Sequence, residues 1–291
     1  MVPRFVKWIH KALFVVILLS ASRAFAYCRT TTCAVPNAPP ECARDLTTQC
    51  LPGPPAGQPL FWEESCVSFS VDSKGAIGLS FAETEELVKG AFAAWPNAQC
   101  GEGFPSIAVM SFGPTTCDDV EFNRTGPNAN AVIFQSQKWP HDLIQIGLTT
   151  VTFNTSTGKI LGADIEINTA GFQLNVNQLK FAVTHEAGHF FGLDHSPISD
   201  AIMFASYALN GDEPVLTDDD IAGICAAYPS DRRQTACKPE PARGYAQDCG
   251  GNVEGSCALN ARAGRVGAGA ALLSLVIAIV GARRRARRDS A

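Results

Sequence analysis

The run His185-Glu186-Ala187-Gly188-His189-Phe190-Phe191-Gly192-Leu193-Asp194-His195 decides how this 291-residue chain folds and what it can bind. Two histidines four residues apart share one face of a helix, so their rings can hold the same ion. Gly192 lets the chain leave the helix before the third histidine arrives. Three neutral imidazoles leave the fourth tetrahedral position of zinc open to water, which is the arrangement of a catalytic site rather than a structural one.

This motif is specific. At the frequencies of His, Glu and Gly in this chain, five such fixed positions coincide by chance with a probability on the order of 10⁻⁵. The alternative is a helix whose histidines are satisfied inside a core. Because His185, His189 and His195 are three of only five histidines, we predict that they bind one catalytic Zn²⁺, with Glu186 beside it as general base.

Residues 1–26 have the composition of a secretory signal peptide. Three basic residues precede the apolar run 12–19, and Ala24-Phe25-Ala26 offers a small-x-small cleavage site. The apolar run is too short to span a bilayer. We therefore predict export, with Tyr27 as the first residue of the mature chain.

Residues 261–291 have the pattern of a transmembrane or sorting tail. The stretch 266–282 is uncharged over 17 positions, the lower limit for a spanning helix, and five arginines follow it. Those arginines would stay on the cytoplasmic side of the membrane. The alternative is an amphipathic tail on the membrane surface, which the apolar run 272–280 disfavours. We expect a secreted or cell-surface protein, anchored through this tail.

Residues 27–260 carry 12 Lys and Arg against 27 Asp and Glu, a formal net charge of −15. Such an acidic body argues against nucleic acid as a partner. It is compatible with Ca²⁺ binding, although an acidic surface is most often only solvated. We expect protein or peptide substrates as partners, and a monomer.

Eleven cysteines in an exported chain predict disulfide bonds. Cys257 is our candidate for the unpaired one because it immediately precedes the tail. The other ten could form five bridges, whose pairing the sequence leaves open. Residues 27–59, rich in Cys and Pro, are predicted as a small disulfide-tied segment, and the polar, Gly-rich residues 231–260 as a linker.

Residues 60–230 have the pattern of one α+β domain. Helical spacing is found over 81–95 and the motif helix is predicted over 176–192. A last helix is predicted over 218–228, with Thr217 as its cap and Pro229 as its stop. Strands are predicted at 66–71, 106–112, 132–135, 144–154 and 160–168, with a hairpin turn at 155–158.

With its third histidine, the motif resembles that of a metzincin metallopeptidase, and further residues resemble the matrixin branch. The matching positions cover roughly residues 60–229 and are dense only from Asp164 onward. Ser196 follows the third histidine, and Ala201-Ile202-Met203-Phe204-Ala205-Ser206-Tyr207 is similar to the family's Met-turn, A-L-M-Y-P-x-Y. The run 216–224 resembles the start of the family's closing helix. The resemblance implies a mixed twisted sheet, two long helices above the zinc cleft, and Met203 in the turn beneath the ion. By composition, the tail resembles the sorting tails of myxobacterial surface proteins.

The chain also departs from matrixins. His141 is the only other histidine of the mature chain, so the family's second, structural zinc is not expected. Calcium loops are not recognisable, although Asp164 and Glu166 lie in the neighbouring strand, and Ca²⁺ is kept as a second candidate ion. The cysteine-switch motif P-R-C-G-x-P-D is missing, so the cysteines within 28–50 are not assumed to hold the enzyme latent. Ala205 stands where the family has proline.

The resemblance implies a zinc-dependent endopeptidase, a class that includes enzymes of the extracellular matrix. An extended peptide should pair with the edge strand predicted at 144–154, where backbone groups near Leu148 and Thr149 would hold it. Tyr207 is a candidate for the pocket of the residue after the cut, and a buried aromatic is an equal alternative.

Two other functions stay open. A non-proteolytic, zinc-stabilised surface binding or adhesion module would have no need of Glu186, which is retained here. A metal-dependent hydrolase of non-peptide substrates is disfavoured by the Met-turn. Chelator-sensitive cleavage of casein would separate the peptidase from the binding module.

Overall fold

The computed structural model describes residues 26–206, 211–248 and, for the backbone alone, 270–276. The helices are α1 (Phe81–Ala93), α2 (Val176–Phe190) and α3 (Asp218–Ala227). The strands are β1 (Cys28–Arg29), β2 (Cys66–Asp72), β3 (Ala108–Thr115), β4 (Ala131–Gln135), β5 (Gly147–Asn154), β6 (Ile160–Asn168), β7 (Leu193–Asp194) and β8 (Ala270–Val276). All of the predicted signal peptide except Ala26, and most of the predicted tail, lie outside these described residues.

Six of the strands form one mixed sheet in the order β3-β2-β4-β6-β5-β8. β2 runs parallel to β3 and β4, and β4 runs parallel to β6. β5 runs antiparallel to β6 on one side and to β8 on the other. Because α1 and α2 pack against this sheet and against each other, the predicted α+β fold with a mixed sheet is confirmed.

A capping box begins each of the three helices. The cap residues are Ser80, Asn175 and Thr217, and each accepts a hydrogen bond from the backbone N–H three residues later. The side chain of that later residue accepts from the cap residue's own N–H in return, which satisfies two amides that a helix start leaves open. The predicted cap of α3, Thr217, is confirmed.

Aromatic side chains hold α1 and α2 against the sheet. Phe92 of α1 stacks on Phe69 of β2 with ring centroids 4.3 Å apart, and meets Phe190 of α2 edge-on at 5.0 Å. Trp95 is buried and donates from Nε1 to the carbonyl oxygen of Thr184 at 3.0 Å. Each aromatic pair adds about 0.5–1.5 kcal/mol beyond its burial. The cluster therefore fixes α2, the helix that carries the motif.

Disulfide bonds tie both flanking segments to the domain or to themselves. The four that join described residues are Cys28–Cys50, Cys33–Cys42, Cys66–Cys237 and Cys100–Cys225. Cys117 is also disulfide-bonded. The first two bonds lie within residues 27–59 and cross-link residues 28–50. Residues 231–248, for which the sequence predicts a linker, are attached to β2 through the third bond and pack on the sheet through Tyr245.

The predicted spanning segment 266–282 is described only in part. Residues 270–276 form β8 on the outer edge of β5, with Leu148 opposite Val276 and Thr149 opposite Leu275. Of the helices in the described ranges, none has the length and apolar character required to cross a bilayer.

Candidate metal centre

The end of α2 and the turn after it bring the three histidines of the motif together. His185 and His189 lie one turn apart on α2. Gly192 then turns the chain with φ at +86°, where a Cβ atom would come within 2.4 Å of the carbonyl oxygen of Leu60. Glycine is required at this left-handed and closely packed position. The turn delivers His195 to the helix face that carries the first two histidines.

The three imidazoles converge through their Nε2 atoms. The distance from Nε2 of His185 to Nε2 of His189 is 3.1 Å, and that from His189 to His195 is 3.3 Å. In a tetrahedral site with Zn–N bonds of about 2.0–2.1 Å, ligand nitrogens lie roughly 3.3 Å apart. The donor set therefore fits zinc. Within the described part of the chain, this is the one group of three potential ligands that converges in this way.

Backbone carbonyls fix which nitrogen of each helix histidine is available. Nδ1 of His185 lies 2.6 Å from the carbonyl oxygen of Ile202, and Nδ1 of His189 lies 2.9 Å from that of Leu193. Because a carbonyl oxygen only accepts, Nδ1 carries the proton and Nε2 keeps its lone pair for a metal. Burial lowers the pKa of His185, His189 and His195 well below the usual value, which favours the neutral ligand form.

Glu186 lies fully buried beside this cluster. Its Oε2 accepts a hydrogen bond from the hydroxyl of Thr149 at 2.6 Å, whereas its Oε1 has no hydrogen-bond partner among the described residues. Gly147 of β5 lies against the same carboxylate, because a Cβ atom there would be 2.5 Å from Oε1. Burial raises the pKa of Glu186 to about 8. The arrangement leaves one carboxylate oxygen able to accept a proton, and a cation nearby would favour the ionised form.

Met203 packs against α2 between the first two histidines. A Cβ atom on Gly188 would come within 2.2 Å of the Met203 sulfur. Asp220 at the start of α3 accepts hydrogen bonds from the backbone N–H groups of Ile202 at 2.9 Å and Met203 at 3.0 Å. Since the carbonyl oxygen of Ile202 in turn binds the ring of His185, Asp220 supports the first histidine of the motif. In the sequence, Asp220 is distinguished only as one of three aspartates in the first turn of α3.

Asp219 is a second buried carboxylate whose contacts the sequence did not reveal. It accepts a hydrogen bond from the hydroxyl of Ser196 at 2.6 Å and one from the backbone N–H of Ala26 at 2.7 Å. Asp219 therefore joins the residue after the third histidine to Ala26, the last residue of the predicted signal peptide. The three aspartates in the first turn of α3 were the one sequence signal for this contact, and their spacing does not show which of them is buried.

Two of the residues predicted to hold substrate lie on β5. Leu148 and Thr149 are buried in this strand, and the hydroxyl of Thr149 points to Glu186 rather than to solvent. The backbone of β8 pairs with the outer edge of β5 at both residues. Tyr207 lies outside the described residues.

The remaining acidic candidates are bound to protein groups. Asp164 accepts hydrogen bonds from the backbone N–H of Ala131 at 2.8 Å and of Glu121 at 3.2 Å. Burial raises the pKa of Asp164 to about 7. An oxygen of Glu166 lies 2.8 Å from Nε2 of His141. Neither carboxylate belongs to the histidine cluster.

Comparison with known proteins places this site in a known family. The sequence profile of the Matrixin family matches residues 61–229. Mouse matrilysin is 42% identical over 77 residues, which are 24% of this chain and 29% of that protein. Bovine interstitial collagenase is 28% identical over 178 residues, which are 57% of this chain and 32% of that protein. Human matrilysin is 37% identical over 86 residues, which are 27% of this chain and 32% of that protein.

The chain thus spans about a third of the length of the curated relatives that it matches. The match with the Matrixin profile, in contrast, covers more than half of this chain. It contains all three histidines, Glu186 and Met203. The chain belongs to the Matrixin family.

Proposed function

We propose that this protein is a secreted or cell-surface zinc endopeptidase, with His185, His189 and His195 as metal ligands and Glu186 as general base. One observation carries the proposal: three Nε2 atoms converge at zinc-ligand spacing beside a buried carboxylate with a free oxygen. The alternative of a non-proteolytic binding module does not explain why that carboxylate is kept there, where its burial is costly.

The roles of the protein groups follow from their contacts. Bound Zn²⁺ would lower the pKa of a coordinated water and polarise the substrate carbonyl. Glu186 would take the proton of the attacking water on Oε1 and return it to the leaving amine. The hydroxyl of Thr149 would bind Oε2 of the carboxylate and so fix the orientation of the free Oε1. A nucleophilic serine or cysteine is not required.

An extended peptide would bind along the outer edge of β5 by adding a strand to the sheet. The pairing of β8 with this edge supports the proposal, because β5 accepts seven residues of extended backbone there. The peptide near Leu148 and Thr149 would lie next to Glu186, since Thr149 binds its carboxylate. Tyr207 remains our candidate for the pocket after the cut.

The substrate and β8 would use the same edge, so the tail should compete with substrate. Ending the chain after Asn260 removes β8 and keeps every cysteine. We expect a lower KM for peptides in the shortened chain and little change in kcat. Equal KM values for the two chains would show that substrate binds elsewhere or that β8 leaves the edge freely.

Export and anchoring are proposed from the two ends of the sequence. The disulfide bonds between described residues support an oxidising compartment. The signal peptide would direct export, and the apolar run with its arginine cluster would attach the protein to a membrane. Residues 270–276 cannot be a strand on β5 and part of a spanning helix at once, so anchoring would also free the substrate edge.

Peptide-library cleavage together with metal analysis tests the proposed function. We expect about one zinc per chain and cleavage that a chelator abolishes. Glu186→Ala should keep the zinc and lose a factor of roughly 10² to 10⁴ in kcat, whereas Glu102→Ala, at an exposed glutamate, should change neither. Full activity in Glu186→Ala would place the base elsewhere, and zinc without cleavage would favour the binding module. The same analysis reports any bound Ca²⁺.

A further inference from the structure

The N-terminal segment 27–59 lies outside the part of the chain that matches the Matrixin profile, which begins at residue 61. Two disulfide bonds, Cys28–Cys50 and Cys33–Cys42, hold it together. It packs on β7, the two residues directly before His195. We call residues 27–59 the N-terminal clasp.

Backbone hydrogen bonds join the clasp to the turn between the second and third histidines. β1 pairs antiparallel with β7, so Arg29 is opposite Leu193. The N–H of Thr30 donates to the carbonyl oxygen of Gly192 at 3.0 Å, and its hydroxyl donates to that of Leu193 at 2.8 Å. The Leu193 carbonyl is the same group that binds Nδ1 of His189. The clasp therefore touches a group that orients a metal ligand.

A charged side chain adds a second connection to the third histidine. Nη1 of Arg44 lies 2.8 Å from Oδ2 of Asp194, and the Asp194 side chain is 0% exposed whereas that of Arg44 is 40% exposed. The other oxygen, Oδ1, accepts the backbone N–H of His195 at 2.8 Å. Arg44 also donates from Nη1 to the carbonyl oxygen of Gln49 at 2.6 Å, inside the loop that Cys28–Cys50 closes.

Because Asp194 is buried, the loss of its ion pair with Arg44 should have a larger effect than the loss of an exposed pair. An ion pair between two exposed side chains contributes little to stability. A buried carboxylate that loses its cation is left as an uncompensated charge, and the structure around it moves to restore solvation. Here the group that would move holds the backbone of His195. Replacing a residue that is hydrogen-bonded to a metal ligand, without binding the metal itself, typically lowers the metal affinity about 10–100-fold.

We propose that Arg44 is a positioning residue for the metal centre: through Asp194 it fixes the backbone of His195, so that the N-terminal clasp completes the third ligand. The inference rests on the proposed function, because it takes His195 as a ligand. It adds a role for a segment that lies outside the family match. The clasp acts on the geometry of the site.

Metal binding by the full mature chain tests this role, with Zn²⁺ and Co²⁺ as the probes. Arg44→Gln removes the charge, Arg44→Lys keeps it without the planar fork, and Arg124→Gln is a control at an exposed arginine. The zinc dissociation constant is measured by competition with a chelator, and the ligand geometry by the visible absorption spectrum of the Co²⁺ form. Circular dichroism of the metal-free proteins reports folding.

We expect Arg44→Gln to bind zinc about 10–100-fold more weakly and to shift the cobalt spectrum, while its circular dichroism matches the wild type. Arg44→Lys should recover most of the affinity, and Arg124→Gln should behave as wild type. Unchanged zinc affinity with an unchanged cobalt spectrum in Arg44→Gln would overturn the inference and leave the proposed function intact. A wild-type chain that binds no zinc would overturn both.

A double variant keeps the test decisive if Arg44→Gln does not fold. Arg44→Gln with Asp194→Asn replaces the ion pair by two neutral amides, so no unpaired charge is buried, and the Asn oxygen can still accept from His195. We expect this variant to fold and to bind zinc more weakly than the wild type, because a neutral amide accepts a weaker hydrogen bond from the His195 N–H than a carboxylate does. Wild-type zinc affinity in the double variant would show that the charge of Asp194 has no part in placing His195.

Discussion

The first two histidines and the third are held by different means. His185 and His189 owe their spacing to one helix, whose packing rests on the aromatic cluster around Phe92. His195 lies beyond a glycine turn, and its backbone is fixed by Asp194, which pairs with Arg44 some 150 residues earlier in the chain. The helix pair is therefore local in sequence and the third ligand is not. Substitutions at residues far from His195 in the sequence should therefore change its position, and the size of the effect should differ from one substitution to the next.

Removal of a helix ligand should give the largest effect. His189→Ala removes one of the three ligand nitrogens, and the two that remain should not retain the ion. We expect the zinc content to fall from about one per chain to near zero in plasma emission, with no peptidase activity. An unchanged stoichiometry of one zinc would reject this ligand set.

We expect the turn before the third ligand to tolerate no side chain at Gly192. Gly192→Ala forces a left-handed residue to carry a Cβ atom 2.4 Å from the carbonyl oxygen of Leu60. The conformation alone costs about 1–2 kcal/mol, and the contact adds to it. We expect a free energy of unfolding lower by at least roughly 2 kcal/mol and weaker zinc binding, measured by denaturation and chelator competition.

Gly90→Ala is the matched control for that substitution. Gly90 lies within α1, and a Cβ atom there would meet nothing closer than the Lys180 side chain at 3.5 Å. Alanine should therefore stabilise the helix by about 0.5–1 kcal/mol. Equal effects of the two glycine substitutions would contradict the role given to the turn.

The buried base should make the stability of the metal-free protein depend on pH. Burial raises the pKa of Glu186 to about 8 from 4.5, so the folded state holds this proton more tightly than the unfolded state. The stabilisation is fully present below pH 4.5 and is lost as pH rises through about 8. Glu186→Gln removes this loss, so we expect a flatter fall in stability between these pH values. Denaturant titrations of both chelated proteins measure it, and parallel curves would contradict the buried position.

A conservative change beneath the ligands should have the smallest effect. Met203→Leu keeps an apolar side chain of similar volume against Gly188, and such exchanges usually cost less than about 1.5 kcal/mol. We expect a small drop in melting temperature and zinc binding within a few-fold of the wild type. Loss of zinc in this variant would mean that the sulfur itself, and not the packing, supports the site.

The sequence predicted the parts of the molecule that depend on neighbouring residues. The 3.6-residue period and the cap Thr217 placed the three helices, and alternation placed β6 at its observed bounds, Ile160–Asn168. β5 was predicted to begin at Ile144, but it begins at Gly147. Leu143 and Ile144 are apolar yet exposed in the preceding turn, and a run of apolar residues does not show which of them face the solvent.

Contacts between distant residues were not predictable. Nothing near Asp220 indicates that it accepts the amides of Ile202 and Met203, and nothing near Arg44 indicates a partner at Asp194. The pairing of residues 270–276 with β5 was likewise not expected from a stretch that reads as a spanning segment. Such contacts depend on the whole fold, whereas the motif depends on a spacing within one helix and one turn.

The coordination of the bound metal is the most direct test of the account. Anomalous diffraction at the zinc edge from crystals of the zinc-loaded mature chain would show each ligand and its distance. We predict one zinc, bound at about 2.0–2.1 Å by Nε2 of His185, His189 and His195, with water in the remaining position next to Glu186. A fourth protein ligand in that position, or a zinc that leaves His195 unbound, would contradict the account.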